Sequence, residues 1–384
     1  MTTWIRTSAA VADLAAALAG CRALALDTES DSLHHHREKV CLIQLASDAG
    51  HAVLIDPLAG ADLSPLGPLL ADPGVAKVLH GADYDVTTLK RDFGLSFAGL
   101  FDTMIASRVL GLPNIGLQAV AGAELGVTLS KDSQKDDWSR RPLTPTQERY
   151  ALADVEHLLA LHALLLAKLQ DAGRLAWVRE ESDAVATLPA ARRERDAEAW
   201  QRVKGARKLS RRQQAVLRAA YLWREAIARE TDIPSFKIQG SETLLAIGER
   251  VPATMAELQA IRGGVPPRFA SRAPALLAAI QDANALPADA LPRLPHVPRP
   301  VVTDAARKRV EALKKWRAEE ALRLAVDVSV VLPQRLLEQV ADTPPARPED
   351  LLRIEGFRRW RVDAFGPALV TAATAPPDQR PLAL

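Results

Sequence analysis

The chain has few cysteines and no long uninterrupted hydrophobic segment, and these absences exclude several classes of protein. Its two cysteines, Cys21 and Cys41, lie in or beside short apolar stretches, so we expect buried, reduced thiols without a functional role. No apolar run approaches the roughly 18 to 20 residues that a membrane-spanning helix needs. The first residues also lack the charged-then-apolar order of a secretory signal. We therefore expect a cytoplasmic protein that does not bind membranes.

The chain does contain enough apolar sequence for several cores, and its charge is unevenly distributed. With 384 residues, 48% of them hydrophobic, it is long enough for two or three domains. Residues 1–170 hold 14 basic and 20 acidic side chains and the remainder hold 35 and 27, so the formal charges are −6 and +8. An acidic half fits carboxylates that bind cations. A basic half suggests phosphate contacts, although arginines scattered over solvated helices would give the same count.

Two carboxylates spaced one residue apart, Asp27 and Glu29, form the most informative motif. They follow the short apolar run 23–26, which predicts a buried strand. In a strand, residues i and i+2 project from the same face about 7 Å apart along the chain. We therefore expect Asp27 and Glu29 to share a metal ion.

A second acidic motif follows another apolar run, 76–79, at the start of a helical pattern. Asp85 falls on the first turn of this helix, where the helix dipole favours a carboxylate and where ligands gather over the strand ends of a layered sheet. Asp83 is the expected N-cap. The sequence leaves the choice between the two acids open and favours Asp85 as the metal ligand.

The third motif pairs Tyr150 with Asp154 in a helical pattern that runs from about Thr144 to Leu165. Their i, i+4 spacing puts both side chains on one helical face, within about 6 Å of each other. A phenol beside a metal-binding carboxylate can orient an attacking water and help to deprotonate it.

Together, these motifs predict hydrolysis of a phosphodiester with divalent cations. The transition state carries charge on the entering and leaving oxygens, and two cations about 4 Å apart can stabilise both. Hard oxygen ligands suit Mg²⁺ or Mn²⁺, and the motifs contain no Cys or His, which argues against zinc. We expect two divalent cations, with Mg²⁺ in the cell and Mn²⁺ as a substitute.

The same residues resemble the DEDD-type 3′–5′ exonucleases in their tyrosine-bearing branch, and within it the ribonuclease D family. The resemblance covers nearly the whole chain and includes the strand 40–46 (VCLIQLA) and, most specifically, the segment 134–154. It implies a ribonuclease H-like α/β domain over residues 1–170, with a mixed sheet flanked by helices. It also implies that Tyr150 positions the nucleophilic water and that four carboxylates bind the cations: Asp27, Glu29, Asp85 and Asp154.

The second half contains an internal repeat with an offset of 93 residues. Trp223-Arg224-Glu225-Ala226 corresponds to Trp316-Arg317-Ala318-Glu319, and residues 257–263 correspond to 350–356. Pro252 and Pro345 keep the same register, so the repeat predicts a duplicated helical domain.

Both copies resemble the HRDC domain, a small all-α bundle that binds nucleic acid or packs against other domains in this family. The second copy is divergent and has Ser329 where the first has Phe236, which removes an aromatic ring that could stack on a base. We expect a Pro-rich, extended spacer between the copies. The expected segments are a helical connector (171–207), the first HRDC domain (208–285), the spacer (286–303), the second HRDC domain (304–375) and a tail (376–384).

Several other residues have two interpretations. A metal site at His34–His36 is disfavoured because three consecutive side chains cannot all face one ion. Relatives often carry aromatic residues in this loop, and their absence here disfavours stacking of the terminal nucleotide against it. His80 could contact substrate, or satisfy a backbone group at a strand end. Trp138, beside two arginines, could contact nucleic acid or pack under the loop before the Tyr150 helix. Asp102 is an expected N-cap.

The expected activity is hydrolysis of single-stranded RNA from its 3′ end to nucleoside 5′-monophosphates. The resemblance implies trimming of tRNA precursors and other structured RNAs, and we expect a monomer without an organic cofactor. The motifs alone do not distinguish RNA from DNA, because none reports a contact to a 2′-hydroxyl. A non-catalytic RNA-binding platform is the remaining alternative, and it is disfavoured because no motif carboxylate is missing.

Overall fold

The computed structural model describes residues 2–191, 197–295 and 303–374, so the predicted tail 376–384 lies outside the described residues. The chain divides into two compact units. The first comprises the described residues of 1–29, 40–191 and 300–384, and the second those of 30–39 and 192–299.

A six-stranded sheet forms the centre of the first unit, with the strand order β1-β4-β3-β2-β5-β6. The sheet is mixed, as predicted, because β3 and β4 are antiparallel whereas β1 and β4, β2 and β5, and β5 and β6 are parallel. The strand with the paired carboxylates, β2, is therefore central. The strands are β1 (Thr3–Ile5), β2 (Ala23–Ser30), β3 (Val40–Ser47), β4 (Ala52–Ile55), β5 (Ala76–Leu79) and β6 (Leu100–Asp102).

Helices cover both faces of this sheet, and the alternation of side chains along β2 assigns each face. Leu24 and Leu26 belong to one core, with residues of α1 and α3, whereas Ala25 belongs to the opposite core, with residues of α5 to α7. The helices are α1 (Ser8–Ala17), α2 (Gly67–Ala71), α3 (Asp83–Phe93), α4 (Thr103–Val109), α5 (Leu117–Leu125), α6 (Pro145–Glu156), α7 (Leu158–Asp171) and α8 (Leu175–Ala186).

The stretch Pro145–Asp171 is long and apolar enough, by length and composition, to cross a membrane. It consists of α6 and α7, which are separated at His157. One side of the stretch is buried against the sheet, and its apolar residues there include Val155, Leu161 and Leu165. A core helix of a globular domain passes the same test, so one such stretch is weak evidence for a membrane span.

The second HRDC copy packs on the nuclease helices within the first unit. The rings of Trp177 on α8 and Trp360 are stacked, with centroids 4.4 Å apart, and Arg361 donates to Glu181. This copy therefore has a packing role. Its helices are α14 (Asp304–Leu324), α15 (Val328–Val331), α16 (Gln334–Asp342) and α17 (Arg359–Thr374).

The second unit contains the first HRDC copy together with residues 30–39, and the long first helix of this copy repeats that of the second copy. The long first helices span 21 residues each and begin 93 positions apart, as the repeat predicts. The helices of the first copy are α9 (Arg211–Thr231), α10 (Ser235–Ile238), α11 (Ser241–Arg250), α12 (Met255–Gln259) and α13 (Ala273–Ala285).

The described part of the Pro-rich segment, 286–295, packs on the first HRDC copy, so the prediction of an extended spacer is wrong there. Leu286, Leu291 and Leu294 lie against the apolar core of this copy. The guanidinium group of Arg211 donates to the carbonyls of Ala288 and Leu291. Proline removes backbone donors but leaves carbonyls, and arginine side chains satisfy these carbonyls.

Candidate active site

Asp27 and Glu29 lie on the face of β2 that α6 covers. They alternate in phase with Ala25, which packs in the same core as Val155 of α6. Both are in the strand and partly buried, in agreement with the sequence prediction. The phase of β2 therefore directs both carboxylates towards the helix that carries the third motif.

Helix α6 brings Asp154 to these two carboxylates. Its start is fixed by a capping box between Thr144 and Gln147, with a proline at the first helical position. Oxygen atoms of Asp27, Glu29 and Asp154 all lie within 4.8 Å of one another. Tyr150 lies one helical turn before Asp154, as the i, i+4 spacing predicts. Its hydroxyl is close enough to lower the pKa of Asp154, against the effect of burial.

Asp85 approaches the group from the other helix layer. It is buried on the first turn of α3, and the Thr28 hydroxyl donates to its Oδ1 at 2.5 Å. Thr28 projects from β2 opposite to Asp27 and Glu29, which explains how a helix on the other face joins the site. The prediction that Asp83 is the N-cap is wrong, because the N-cap is Ala82 and Asp83 is an exposed first-turn residue.

Asp102 has a wider role than the predicted N-cap. It does cap α4, where Oδ1 accepts from the amides of Met104 and Ile105 at 2.8 and 3.2 Å. The same carboxylate accepts from the amides of Gly81 and Ala82 at 3.0 and 2.8 Å, at the start of α3. One buried carboxylate thus fixes two helix N-termini, and one of these helices carries Asp85. The N-cap pattern in the sequence predicts the bonds to Met104 and Ile105 but not those to Gly81 and Ala82.

The four carboxylates disfavour one another's charge. Burial, then Asp85 and Asp154, raises the pKa of Asp27 well above its usual value. Burial and the charge of Asp27 raise the pKa of Glu29 to about 10, and burial raises the pKa of Asp85 to about 7 and that of Asp154 to about 6. Asp136, from the 134–154 segment, contributes to the shift of the Glu29 pKa and was not predicted to lie near the site.

Tyr150 is a phenol rather than a phenolate in this environment. Burial raises its pKa, and so does the negative charge of Asp154, Glu29 and Asp27. A phenol that keeps its proton can hold and orient a water molecule but is a poor general base at neutral pH.

The donor set fits divalent cations. Several carboxylates at this separation are stable together only when cations or protons offset their charge. Among the residues that the structure describes, no Lys or Arg side chain forms an ion pair with any of the four carboxylates, Asp27, Glu29, Asp85 and Asp154. Oxygen-only ligands match Mg²⁺, Mn²⁺ or Ca²⁺ rather than zinc.

The other predicted contacts have structural partners. The hydroxyl of Thr103 donates to the Leu79 carbonyl, so the His80 Nδ1–H must donate to Thr103 at 2.8 Å. Burial lowers the pKa of His80, which leaves its Nε2 as a neutral acceptor. Trp138 is 1% exposed and lies beside Tyr150, with ring centroids 6.0 Å apart. This burial supports the packing interpretation of Trp138 and leaves no exposed ring face for a base.

The neighbouring arginine is also structural. Arg141 binds Asp56 through two hydrogen bonds of 2.7 and 2.8 Å and donates to the carbonyls of Cys41 and Trp138. These bonds tie the loop before α6 to β3 and to the end of β4, and they occupy the donors that a phosphate would need.

Family models match both parts of the chain. The model described as 3′-5′ exonuclease matches residues 2–170, and the HRDC domain model matches residues 213–280 and 306–372. The fold, the acidic site and these matches define a 3′–5′ exonuclease with two HRDC domains.

Individual relatives narrow this class. Ribonuclease D of Acidiphilium cryptum is 33% identical over 94% of this chain and 90% of its own length. Ribonuclease D of Gluconacetobacter diazotrophicus is 39% identical over 70% of this chain and 69% of its own length. The crystal structure of Escherichia coli RNase D, an exoribonuclease involved in structured RNA processing, matches this chain with a TM-score of 0.71 at 29% identity. The match covers 97% of this chain and 98% of that one. The chain belongs to the ribonuclease D family. It is a 3′–5′ exoribonuclease of a family that uses divalent metals.

Proposed function

We propose that this protein trims single-stranded 3′ ends of RNA by two-metal-ion hydrolysis and releases nucleoside 5′-monophosphates one at a time. The observation that carries the proposal is the convergence of carboxylates from β2, α3 and α6, with three oxygens within 4.8 Å and no basic partner among the described ion pairs. We further propose that the protein is a cytoplasmic monomer and that its cellular cations are Mg²⁺.

Each carboxylate has a defined task in this proposal. Asp27, Glu29, Asp85 and Asp154 would hold two cations, which would stabilise charge on the entering and leaving oxygens of the scissile phosphate. Tyr150, kept as a phenol, would hold the attacking water through its hydroxyl and be oriented by Asp154. Thr28 and Asp102 fix the position of Asp85 and of its helix.

Structured RNAs with single-stranded 3′ tails, including tRNA precursors, are the proposed substrates. The likeness to the Escherichia coli enzyme supports this substrate class. The first HRDC copy offers an RNA contact in Phe236, which is 57% exposed next to Lys237 on α10. The second copy lacks this aromatic ring and packs on the nuclease through Trp177 and Trp360. We therefore assign RNA contact to the first copy. His80, at the end of β5, is a second candidate contact for substrate, although its Nε2 is buried in this structure.

The proposal is tested by cleavage of one RNA sequence labelled at either end, beside the matched DNA. Mononucleotide release from the 3′ label in Mg²⁺, a ladder that shortens by single nucleotides from the 5′ label, and loss of both with chelator would support it. DNA trimmed as fast as RNA would move the assignment to a DNA exonuclease. RNA binding without cleavage would indicate a binding platform.

A further inference from the structure

The three histidines that follow the catalytic strand belong to a closed loop in the second unit. At its neck, the Asp31 amide donates to the Lys39 carbonyl and the Lys39 amide donates to Asp31 Oδ1, at 3.4 and 2.8 Å. The Asp31 carbonyl also accepts from the amides of His34 and His35, at 2.7 and 2.8 Å. Asp31 itself is fully buried. Residues 30–39 are therefore folded on themselves, and the neck begins two residues after Glu29.

The tip of this loop is bound by one residue of the first HRDC copy, Asp232. Its Oδ2 accepts from His35 Nδ1, its Oδ1 accepts from the Arg37 amide, and its carbonyl accepts from the His36 amide. The three distances are 2.9, 2.9 and 3.1 Å. We call these four residues the loop clasp.

The position of Asp232 in its helix explains how it can make three bonds. It is the C-cap of α9 and has a left-handed backbone, with φ of 52°. This conformation turns the chain away from the helix axis and exposes both the carbonyl and the side chain to a neighbour. Partial burial acts to raise the pKa of Asp232, but the Arg37 amide and His35 hold the pKa below its usual value.

The internal duplication provides a comparison, because Ala325 is the equivalent C-cap in the second copy. It has the same φ of 52° but no carboxylate. There, the preceding Leu324 carbonyl accepts from Arg174, just before α8 of the first unit, at 2.9 Å. Both copies thus use the C-terminus of the first long helix to contact a segment that precedes the HRDC domains, and only the first copy does so with an acidic side chain.

We propose that Asp232 is a positioning residue for the nuclease: through the loop clasp, the first HRDC copy fixes the conformation of loop 30–39, which follows Glu29 directly in the chain. This inference rests on the proposed function, because it concerns binding of the RNA 3′ end. The loop leaves the catalytic strand directly after the metal-binding pair, so its release should weaken RNA binding. The chemical step, which depends on the carboxylates of the first unit, should change little.

The test uses full-length Asp232→Gly, which removes the carboxylate and relieves rather than adds strain at a positive φ. We expect KM for a single-stranded RNA to rise at least about fivefold, with kcat within about twofold of wild type. Asp232→Asn keeps one acceptor and should recover part of the loss. Asp289→Gly removes an exposed carboxylate from a turn of the same unit and is the control. Wild-type KM in Asp232→Gly would overturn the proposal.

Two further measurements keep this result separate from misfolding and from failure of the proposed function. Amide hydrogen exchange at Arg37 should accelerate in Asp232→Gly and not in Asp289→Gly, whether or not RNA is cleaved. Unchanged protection would refute the loop clasp. The effects of His35→Ala and Asp232→Gly on KM should be non-additive because the two residues act through one bond. Full additivity would also refute it.

Discussion

At the scale of single residues, the cation-binding group stores electrostatic repulsion. Burial, Asp85 and Asp154 all disfavour the charge of Asp27, and Glu29 is subject to the same effects. Residues chosen for stability would not be arranged in this way, and perturbed carboxylates that converge in one place are a common mark of a functional site. Function and stability therefore make opposite demands on Asp27.

Asp27→Asn should abolish cleavage and, in the absence of metal, stabilise the fold. The neutral amide removes a cation ligand and at the same time removes charge repulsion from the buried group. We expect a loss of at least about 10³-fold in activity and a higher melting temperature in chelator at about pH 8. The control is Asp13→Asn, an exposed residue of α1, which should change neither. A destabilised metal-free Asp27→Asn protein would contradict this account.

Tyr150→Phe should lower kcat by about 10²- to 10⁴-fold, because positioned hydroxyl groups contribute about this much. The phenol also packs beside Trp138, and phenylalanine keeps that contact. RNA binding in Ca²⁺ and the melting temperature should stay near the wild-type values. Single-turnover kinetics check the prediction, and a wild-type rate would exclude the proposed contact between Tyr150 and water.

Divalent cations should stabilise the protein more as the pH rises. The pKa values of Asp154, Asp85 and Glu29 are raised to about 6, 7 and 10, so the metal-free folded state retains protons that the unfolded chain releases above about pH 4. Metal-free stability therefore falls as pH rises through this range, whereas cation binding displaces protons and strengthens. Thermal unfolding with and without Mg²⁺ should show a larger gain at about pH 8 than at about pH 5. An equal gain at both would contradict the pKa directions.

At the scale of helices and strands, Asp102 determines where the site is built. Its four backbone hydrogen bonds join the N-termini of α3 and α4 to the end of β6. The position of Asp85 therefore depends on a residue that lies 17 positions further along the chain and is not itself a proposed ligand.

Asp102→Ala should destabilise the first unit by about 2 to 4 kcal/mol, because it leaves buried amides without an acceptor. It should also reduce kcat, since α3 carries Asp85. Asp83→Ala, on the exposed first turn of the same helix, should change stability by less than about 0.5 kcal/mol. Chemical denaturation of both variants measures the difference. Equal midpoints would exclude the double-capping role.

Local sequence patterns predict the helices and strands that carry the site residues. They do not predict contacts between segments that are distant in the chain. The apolar run before Asp27 predicts β2, and the i, i+4 spacing of Tyr150 and Asp154 predicts their shared face. In contrast, the N-cap pattern placed Asp83 at a position that Ala82 occupies, because Asp102 already binds the amides there. The packing of residues 286–295 depends on Arg211 and Arg212, more than 70 positions away, and the number of prolines in the segment does not predict these contacts.

At the scale of the whole molecule, the duplicated HRDC domain has diverged in use. The second copy contributes Trp360 and Phe365 to a cluster with Trp177 of α8, and its Arg361 donates to Glu181 and to the carbonyl of Val331. Removal of this copy would expose that aromatic surface, so its deletion is expected to destabilise the first unit.

Trp360→Ala should therefore destabilise the first unit by about 3 kcal/mol or more, as is usual for a buried tryptophan. Activity on short RNA should fall at temperatures where the variant begins to unfold. Leu322→Ala, at a residue of the same copy that is 84% exposed, is the matched control and should have little effect. Thermal unfolding followed by tryptophan fluorescence would distinguish them. A wild-type transition in Trp360→Ala would argue that the two parts are held together by other contacts.

The central claim, that Asp27, Glu29, Asp85 and Asp154 form a two-cation site, is tested most directly by counting bound Mn²⁺ per chain from the electron paramagnetic resonance of the free ion. We expect two ions on the wild-type protein and at most one on Asp154→Asn, with RNA cleavage lost in parallel. Two ions on Asp154→Asn, or cleavage by a wild-type protein that binds none, would contradict it.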